Sequence, residues 1–318
     1  MIRIVFLGTS GSIPTTQRNL PAVALHRNRE IILFDCAEGT QRQMLKAGLS
    51  INRISKILIS HLHGDHMMGL LGIIQTLSLM GRETPLHIYG PPNLSGFIDS
   101  LIEHLEFASS FEVCVHHVHP GIIFDSFDYL IKCERVDHGL VEAYAYAFEE
   151  KPRPGKFHPE KAIALGVPIG PLWKQLQLGR SVTLENGRTV YPEEVMESPR
   201  LGRKVVYSGD TAPCQSLFRI SRLADVLIHE STFDQSLESK AIETRHSTSM
   251  QAALVAREAN VKLLVLTHIS PRYTDPNVLL QQAKEIFANT IIAQDFTEVL
   301  IDSEGCIKTI QRETYETS

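Results

Sequence analysis

Four side chains of metal-binding type crowd into six positions behind a short apolar run, in Ile57-Leu58-Ile59-Ser60-His61-Leu62-His63-Gly64-Asp65-His66. Ile57 to Ser60 read as a buried strand and Met67 to Met80 as an apolar-rich helix, so the cluster occupies a strand-to-helix turn. If the chain is still extended there, His61 and His63 point the same way, because side chains alternate along a strand. Asp65 and His66, at the helix start, face another direction. Two such groups suit a pair of metal ions. Imidazole nitrogen with carboxylate oxygen and no cysteine favours zinc first and manganese next.

The same design recurs four times. An apolar strand ends at, or one residue before, a metal-type or acid–base side chain in Tyr129 to Val136 (then Asp137-His138), Lys204 to Ser208 (then Gly209-Asp210-Thr211), Asp225 to Ile228 (then His229-Glu230) and Leu263 to Thr267 (then His268). In layered α/β architectures strand ends share one edge of a sheet, where sites collect, so one composite site is expected. His61, His63 and His138 would complete one site, and Asp65, His66 and His268 the other. Asp210, the lone carboxylate at its strand end, is the candidate bridge. Two ions held about 3.5–4 Å apart activate water and stabilise charge on a phosphoryl oxygen, so phosphodiester hydrolysis is the natural chemistry. Asp65 is a candidate proton acceptor from water. Glu230 with His246 forms a carboxylate–imidazole pair suited to protonating the leaving group.

Composition restricts the setting. A 318-residue chain with 43% hydrophobic residues has ample material for a core. There is no apolar run of the roughly 18 residues a membrane helix needs, and the start at Met1-Ile2-Arg3-Ile4-Val5-Phe6-Leu7 reads as a first strand rather than a signal peptide. Five scattered cysteines without a Cys-x-x-Cys pair fit reduced thiols, and hence a cytoplasmic protein. A net charge of −5 argues against a uniformly basic nucleic-acid binder. It leaves room for a local patch, and residues 151–180 supply one: six basic residues, among them Lys156 and Lys174, stand against Glu160 alone, with five prolines and Trp173. Because proline and glycine interrupt both periodicities there, the segment reads as an inserted, protruding arm suited to gripping a polyanion. Elsewhere, the turn Gly8 to Pro14 reads as a tight connection, with Arg18 and Asn19 beyond it as binding candidates. A helix is expected from about Leu94 to Leu105. His116, His117 and His119 read as structural or solvent-exposed, since no carboxylate accompanies them. Ser247 or Thr248 is expected to cap a helix, and Asp275-Pro276 to open the last one.

These residues resemble the metallo-β-lactamase superfamily through His61-x-His63-x-Asp65-His66, His138, Asp210 and His268. Within it the chain is most similar to the ribonuclease Z family, endonucleases that process tRNA 3′ ends. Further marks are Phe6-Leu7-Gly8-Thr9, Phe34-Asp35-Cys36-Ala37-Glu38-Gly39-Thr40-Gln41, Tyr207-Ser208-Gly209-Asp210-Thr211, His229-Glu230-Ser231-Thr232-Phe233, His246-Ser247-Thr248 and Thr267-His268-Ile269-Ser270-Pro271-Arg272-Tyr273. The resemblance implies a single domain over 1–318 with a four-layer αβ/βα sandwich, two zinc ions per subunit, a homodimer, and cleavage after the discriminator nucleotide of precursor tRNA that leaves a 3′ hydroxyl. It also implies that an arm around Gly170-Pro171 grips the tRNA elbow, that Glu230 and His246 donate a proton, and that Ser270 and Arg272 contact phosphate. The family's Pro-x-Lys-x-Arg-Asn loop stands here as Pro14-Thr15-Thr16-Gln17-Arg18-Asn19, with threonine in place of lysine. The competing readings are a small-molecule hydrolase acting on a thioester, lactone or cyclic phosphodiester, for which a basic arm is superfluous, and a non-catalytic RNA-binding protein.

Overall fold

The computed structural model describes residues 1–104 and 109–311. From the start, the chain forms strands β1 (Ile2–Gly8), β2 (Ala22–Arg27) and β3 (Glu30–Phe34), helix α1 (Thr40–Lys46), β4 (Ile54–Leu58), helices α2 (Gly64–Met67) and α3 (Leu70–Leu79), β5 (Leu86–Gly90), α4 (Leu94–His104) and β6 (Val113–His117). The expected end of α4 at Leu105 lies outside the described residues. Strands β7 (Gly121–Asp125), β8 (Tyr129–His138) and β9 (Val141–Glu150) follow, then α5 (Pro159–Ala164), α6 (Pro171–Gln177), the short pair β10 (Val182–Thr183) and β11 (Thr189–Val190), and α7 (Pro192–Val195). The last part holds β12 (Lys204–Tyr207), α8 (Gln215–Ser221), β13 (Val226–Glu230), α9 (Glu238–Thr244), α10 (Ser249–Glu258), β14 (Leu263–Thr267), α11 (Asn277–Ile286), β15 (Thr290–Ile292), β16 (Glu298–Ile301) and β17 (Ile307–Ile310).

The chain divides into two compact units. The larger comprises residues 1–125, 130–148 and 204–318. It is built on an eight-stranded sheet in the order β17-β16-β1-β2-β3-β4-β5-β6 and a seven-stranded sheet in the order β15-β14-β13-β12-β9-β8-β7. Strands β3 to β6 run parallel, as do β12 to β15. Parallel strands are covered on both faces, which is why they read as unbroken apolar runs such as Leu263-Leu264-Val265-Leu266. One face of the first sheet packs Val5, Leu33 and Ile57 against Met44, Leu70, Ile73 and Leu77 of α1 and α3. One face of the second packs Val206, Leu227 and Leu264 against Leu217, Ala252, Ala256 and Ala283 of α8, α10 and α11. The remaining faces meet each other: the Phe34 ring lies 5.5 Å from that of Tyr207, and the Tyr146 hydroxyl donates to the Ile59 carbonyl at 2.7 Å. The order of layers is therefore helix, sheet, sheet, helix, as the αβ/βα reading requires.

Several local expectations shift. The helix read over Met67 to Met80 is two helices broken at Gly69, because that residue abuts the preceding strand-end loop: its N–H donates to the Cys36 carbonyl at 2.8 Å, and a Cβ there would stand 2.0 Å from the Ala37 carbonyl oxygen. The last helix begins at Asn277, one residue later than Asp275-Pro276 at the first turn would place it, with the Asp275 carboxylate accepting from the Asn277 N–H. Thr248 caps α10 in a reciprocal box with Gln251.

The smaller unit comprises residues 126–129 and 149–203, longer than the 151–180 segment marked by its basic charge. Three of its prolines start helices instead of breaking them. Pro159, Pro171 and Pro192 each stand in a first helical turn, where the missing N–H has no intrahelical partner to lose. Ala162, Val167, Leu176, Val182, Val190 and Val195 form a small core of its own, flanked by Phe157 and Trp173, whose rings lie 5.2 Å apart. Among the described residues no helix is long and apolar enough to cross a membrane.

The Gly69 contact makes a direct stability test. Gly69→Ala should cost roughly 2–4 kcal/mol, since the intruding methyl meets backbone that cannot yield. Gly96→Ala, in α4 with nothing within 4 Å of the new Cβ, should be neutral or gain about 0.5–1 kcal/mol. Urea midpoints of the two variants decide it.

Candidate metal centre and its surroundings

The site lies within the larger unit. His61, His63, Asp65 and His66 follow β4 in the first sheet, whereas His138, Asp210, Glu230 and His268 stand at the ends of β8, β12, β13 and β14 in the second. The strand ends thus meet from two facing sheets, and the expectation that they share one sheet edge is corrected. A single edge spreads strand ends in a row about 4.8 Å apart. Two stacked sheets let them close around a point.

The candidate ligands fall into groups whose ligand atoms lie within 4.8 Å of one another: His61, His63 and His138; His61, His66 and Asp210; Asp65, His66 and His268. The Asp210 Oδ2 is 3.3 Å from His66 Nε2, 3.4 Å from His268 Nε2 and 3.8 Å from His61 Nε2. All three of these Nε2 atoms are buried without a hydrogen-bond partner. Four imidazoles have their other nitrogen committed: His61 Nδ1 to Ser60 Oγ at 3.0 Å, His66 Nδ1 to Asp35 at 2.7 Å, His138 Nδ1 to the Arg245 carbonyl at 3.0 Å and His268 Nδ1 to Thr232 Oγ1 at 2.9 Å. Orphaned, buried ring nitrogens converging on one carboxylate, each on a ring held from behind, are what a divalent cation demands of its ligands. The donor set of imidazoles and carboxylates suits zinc or manganese.

Protonation reflects this crowding. Burial, reinforced by the neighbouring His66, holds His61 well below the usual histidine range. Burial also opposes charge on His66, yet the Asp210 and Asp35 carboxylates raise it well above its ordinary value. Desolvation would raise the Asp65 pKa, but the neighbouring imidazoles of His268 and His66 lower it. Asp65 Oδ2 also accepts the Ser12 N–H at 3.0 Å. The turn Gly8 to Pro14 therefore packs on the site. Gly11 is required there, since a Cβ would stand 2.8 Å from the His268 ring.

Beside the cluster, Glu230 accepts four hydrogen bonds: from Thr211 N and His246 Nδ1 on Oε1, and from Thr232 N and Thr232 Oγ1 on Oε2. Glu230, His246 and His268 also lie close enough to hold an ion, but a carboxylate with both oxygens doubly occupied is an orienting group. Burial would lower the His246 pKa, but Glu230 outweighs it and brings the imidazole to about 9. His229, next in the strand, points to the opposite face and is fully buried, with Nδ1 on the Glu230 carbonyl.

The remaining candidates are placed as follows. Ser270 and Arg272 lie just past His268, with Arg272 Nε donating to Ser270 Oγ at 3.0 Å and the guanidinium 5.0 Å over the Phe233 ring. Arg18 and Asn19 line an open polar cleft of about 820 Å³ with Arg42, Lys46 and Asp275. Both also support the loop: Arg18 Nη1 donates to Thr9 Oγ1 and the Ala293 carbonyl, and Asn19 Nδ2 to the Glu38 carbonyl. Lys156, Gly170, Pro171 and Lys174 belong to the smaller unit, where both lysines are exposed and Gly170 precedes α6. His116 stacks on Tyr89 at 4.5 Å and bonds to His87, away from any metal-type triad of the described residues. All five cysteines are free. Asp35, Ser60, Tyr207 and Thr232 are site residues that sequence reasoning misses. Asp35 follows the apolar run Ile31 to Phe34 and so obeys the strand-end rule itself. The hydroxyl partners carry no comparable signal.

A metallo-β-lactamase fold protein of Bacillus subtilis, YhfI, superposes with a TM-score of 0.65 at 17% identity, covering 93% of this chain and 98% of that one. Fold and centre together define a protein of that fold with a composite histidine–aspartate cluster that could hold metal. Curated ribonuclease Z of Methanosarcina acetivorans is 45% identical over 302 residues, 95% of this chain and 98% of that protein. The short form of human tRNase Z superposes with a TM-score of 0.69 at 28% identity, covering 94% and 99%. The chain belongs to the ribonuclease Z family. A family model for the anti-Pycsar protein Apyc1 also matches, over residues 2–118.

Asp35 Oδ2 takes the His66 Nδ1–H and the Tyr207 hydroxyl, so Asp35→Asn removes the anion that orients His66. Metal affinity measured by chelator competition should fall roughly 10–100-fold, with Tyr207→Phe causing a smaller loss.

Proposed function

We propose that the protein is a metal-dependent endoribonuclease that cuts precursor tRNA after the discriminator nucleotide and leaves a 3′ hydroxyl. The observation that carries this reading is the set of imidazoles braced at Nδ1 and converging through Nε2 on Asp210, beside the Glu230–His246 pair, in a chain of the ribonuclease Z family. His61, His63 and His138 would hold one ion and Asp65, His66 and His268 a second, with Asp210 between them; zinc, or manganese in its place, fits the donors. Bound there, such ions would acidify a water and neutralise charge on the phosphoryl oxygens. The chain's own residues do the rest. Asp65, fixed by the Ser12 N–H, is placed to accept the water's proton. His246 commits Nδ1 to Glu230, which leaves Nε2 to give a proton to the departing 3′ oxygen.

Ser270 and Arg272, on the His268 loop, are suited to a phosphate beside the cut, and the cleft bearing Arg18 and Asn19 to nucleotides near it. The exposed cations Lys156 and Lys174, with Gly170-Pro171, would form an exosite for the body of the tRNA, presented within a homodimer in the cytoplasm. A small-molecule hydrolase has no use for such a surface.

The test is one precursor tRNA with a 3′ trailer, incubated with and without chelator, both new ends mapped. A single chelator-sensitive cut after the discriminator is expected; no cut with zinc or manganese restored would overturn the reading. His63→Ala should lose metal and cleavage together. His246→Ala should keep its metal and slow cleavage roughly 10²–10⁴-fold. Lys156→Ala with Lys174→Ala should weaken RNA binding and lower its salt slope by about 1.5–2, leaving turnover of a small phosphodiester unchanged.

A further inference from the structure

Two carboxylates brace the imidazoles of this site, and they do so in the same way. Asp35 takes the His66 Nδ1–H directly, and it reaches His61 through the Ser60 hydroxyl, which lies 2.8 Å from Asp35 Oδ2 and 3.0 Å from His61 Nδ1. Glu230 takes the His246 Nδ1–H directly at 2.8 Å, and it reaches His268 through Thr232, whose Oγ1 lies 2.6 Å from Glu230 Oε2 and 2.9 Å from His268 Nδ1. Thr232 is 5% exposed, so water does not compete for these bonds.

A hydroxyl has one proton to give. An ionised carboxylate at 2.6 Å can only accept, so the Thr232 proton belongs to Glu230 and its oxygen must accept from His268. That forces the His268 proton onto Nδ1 and leaves the Nε2 lone pair facing Asp210. The backbone at His268 lies in the left-handed region, φ 55°.

We infer that Thr232 is a positioning residue that joins the two halves of the site: its hydroxyl sets the tautomer of the ligand His268 and restrains the carboxylate that orients the proton donor His246. The inference rests on the ligand and donor roles proposed above. It follows that metal affinity and proton delivery share one hydroxyl, although neither the ion nor the leaving group touches it.

The experiment uses Thr232→Val, which keeps the shape and removes the hydroxyl, and Thr232→Ser, which restores it. Zinc affinity is measured by chelator competition, without RNA. T232V should bind zinc roughly 10–100-fold more weakly, and T232S within about threefold of the parent. At saturating zinc, kcat for precursor tRNA should fall about tenfold in T232V. In a His246→Ala background that kcat loss should vanish, because the donor it acts through is gone, while the affinity loss persists. A merely structural role would lower both in every background. Folded T232V with parental zinc affinity would overturn the inference, as would a kcat loss undiminished in the His246→Ala background. If T232V does not fold, Thr232→Cys, with a weaker donor and acceptor, is compared with T232S by the same measures. A parent protein that binds zinc but leaves precursor tRNA uncut refutes the proposed function alone, because the affinity comparison still tests Thr232.

Discussion

The buried carboxylate of Asp35 is the point on which the site and the sandwich both depend. It is fully inaccessible to water, and an ion in that position is costly unless it is well satisfied. It takes the Ser60 N–H and hydroxyl from the end of β4, the His66 imidazole from the start of α2, and the Tyr207 hydroxyl from β12 of the facing sheet. One anion thereby ties three segments and both sheets together. Its own backbone lies in the left-handed region, φ 55°, an arrangement that persists only where its surroundings over-determine it.

Glu230 plays the corresponding part on the other flank, with four donors around its two oxygens. The consequence is a division of labour among atoms of one residue type. Histidines at 61, 66, 138 and 268 turn their Nδ1 inward to protein and their Nε2 to a common centre. His246 carries the same kind of brace as His66, a carboxylate in direct contact with Nδ1.

The smaller unit obeys different physics. It carries exposed cations such as Lys156 and Lys174 and none of the candidate ligands, and a small core holds its short helices in shape. Six small or medium apolar side chains, with Phe157 and Trp173 alongside, form that core. Proline at the first turn of each helix lowers the entropy lost on ordering such short segments.

Much of this was legible in the linear sequence. The crowding of His61, His63, Asp65 and His66 and the repeated ending of apolar runs at His138, Asp210, Glu230 and His268 both follow from covalent order, since a residue one step past a strand must emerge at its end. Helix boundaries were less legible. Gly69 breaks a continuous apolar periodicity because of the carbonyl of Ala37, thirty-two positions earlier in the chain, and Pro159 and Pro171 read as breakers although each stands in a first helical turn. What the sequence by itself determined is the chemistry available: which donors exist, and that they come at strand ends. Tertiary structure decided how it is used, through two facing sheets instead of one edge, and through hydroxyls such as Ser60 and Thr232 that acquire a role only when folding sets a carboxylate on one side and an imidazole on the other. A hydroxyl's partner is chosen by distance in space, and covalent order does not encode that distance locally.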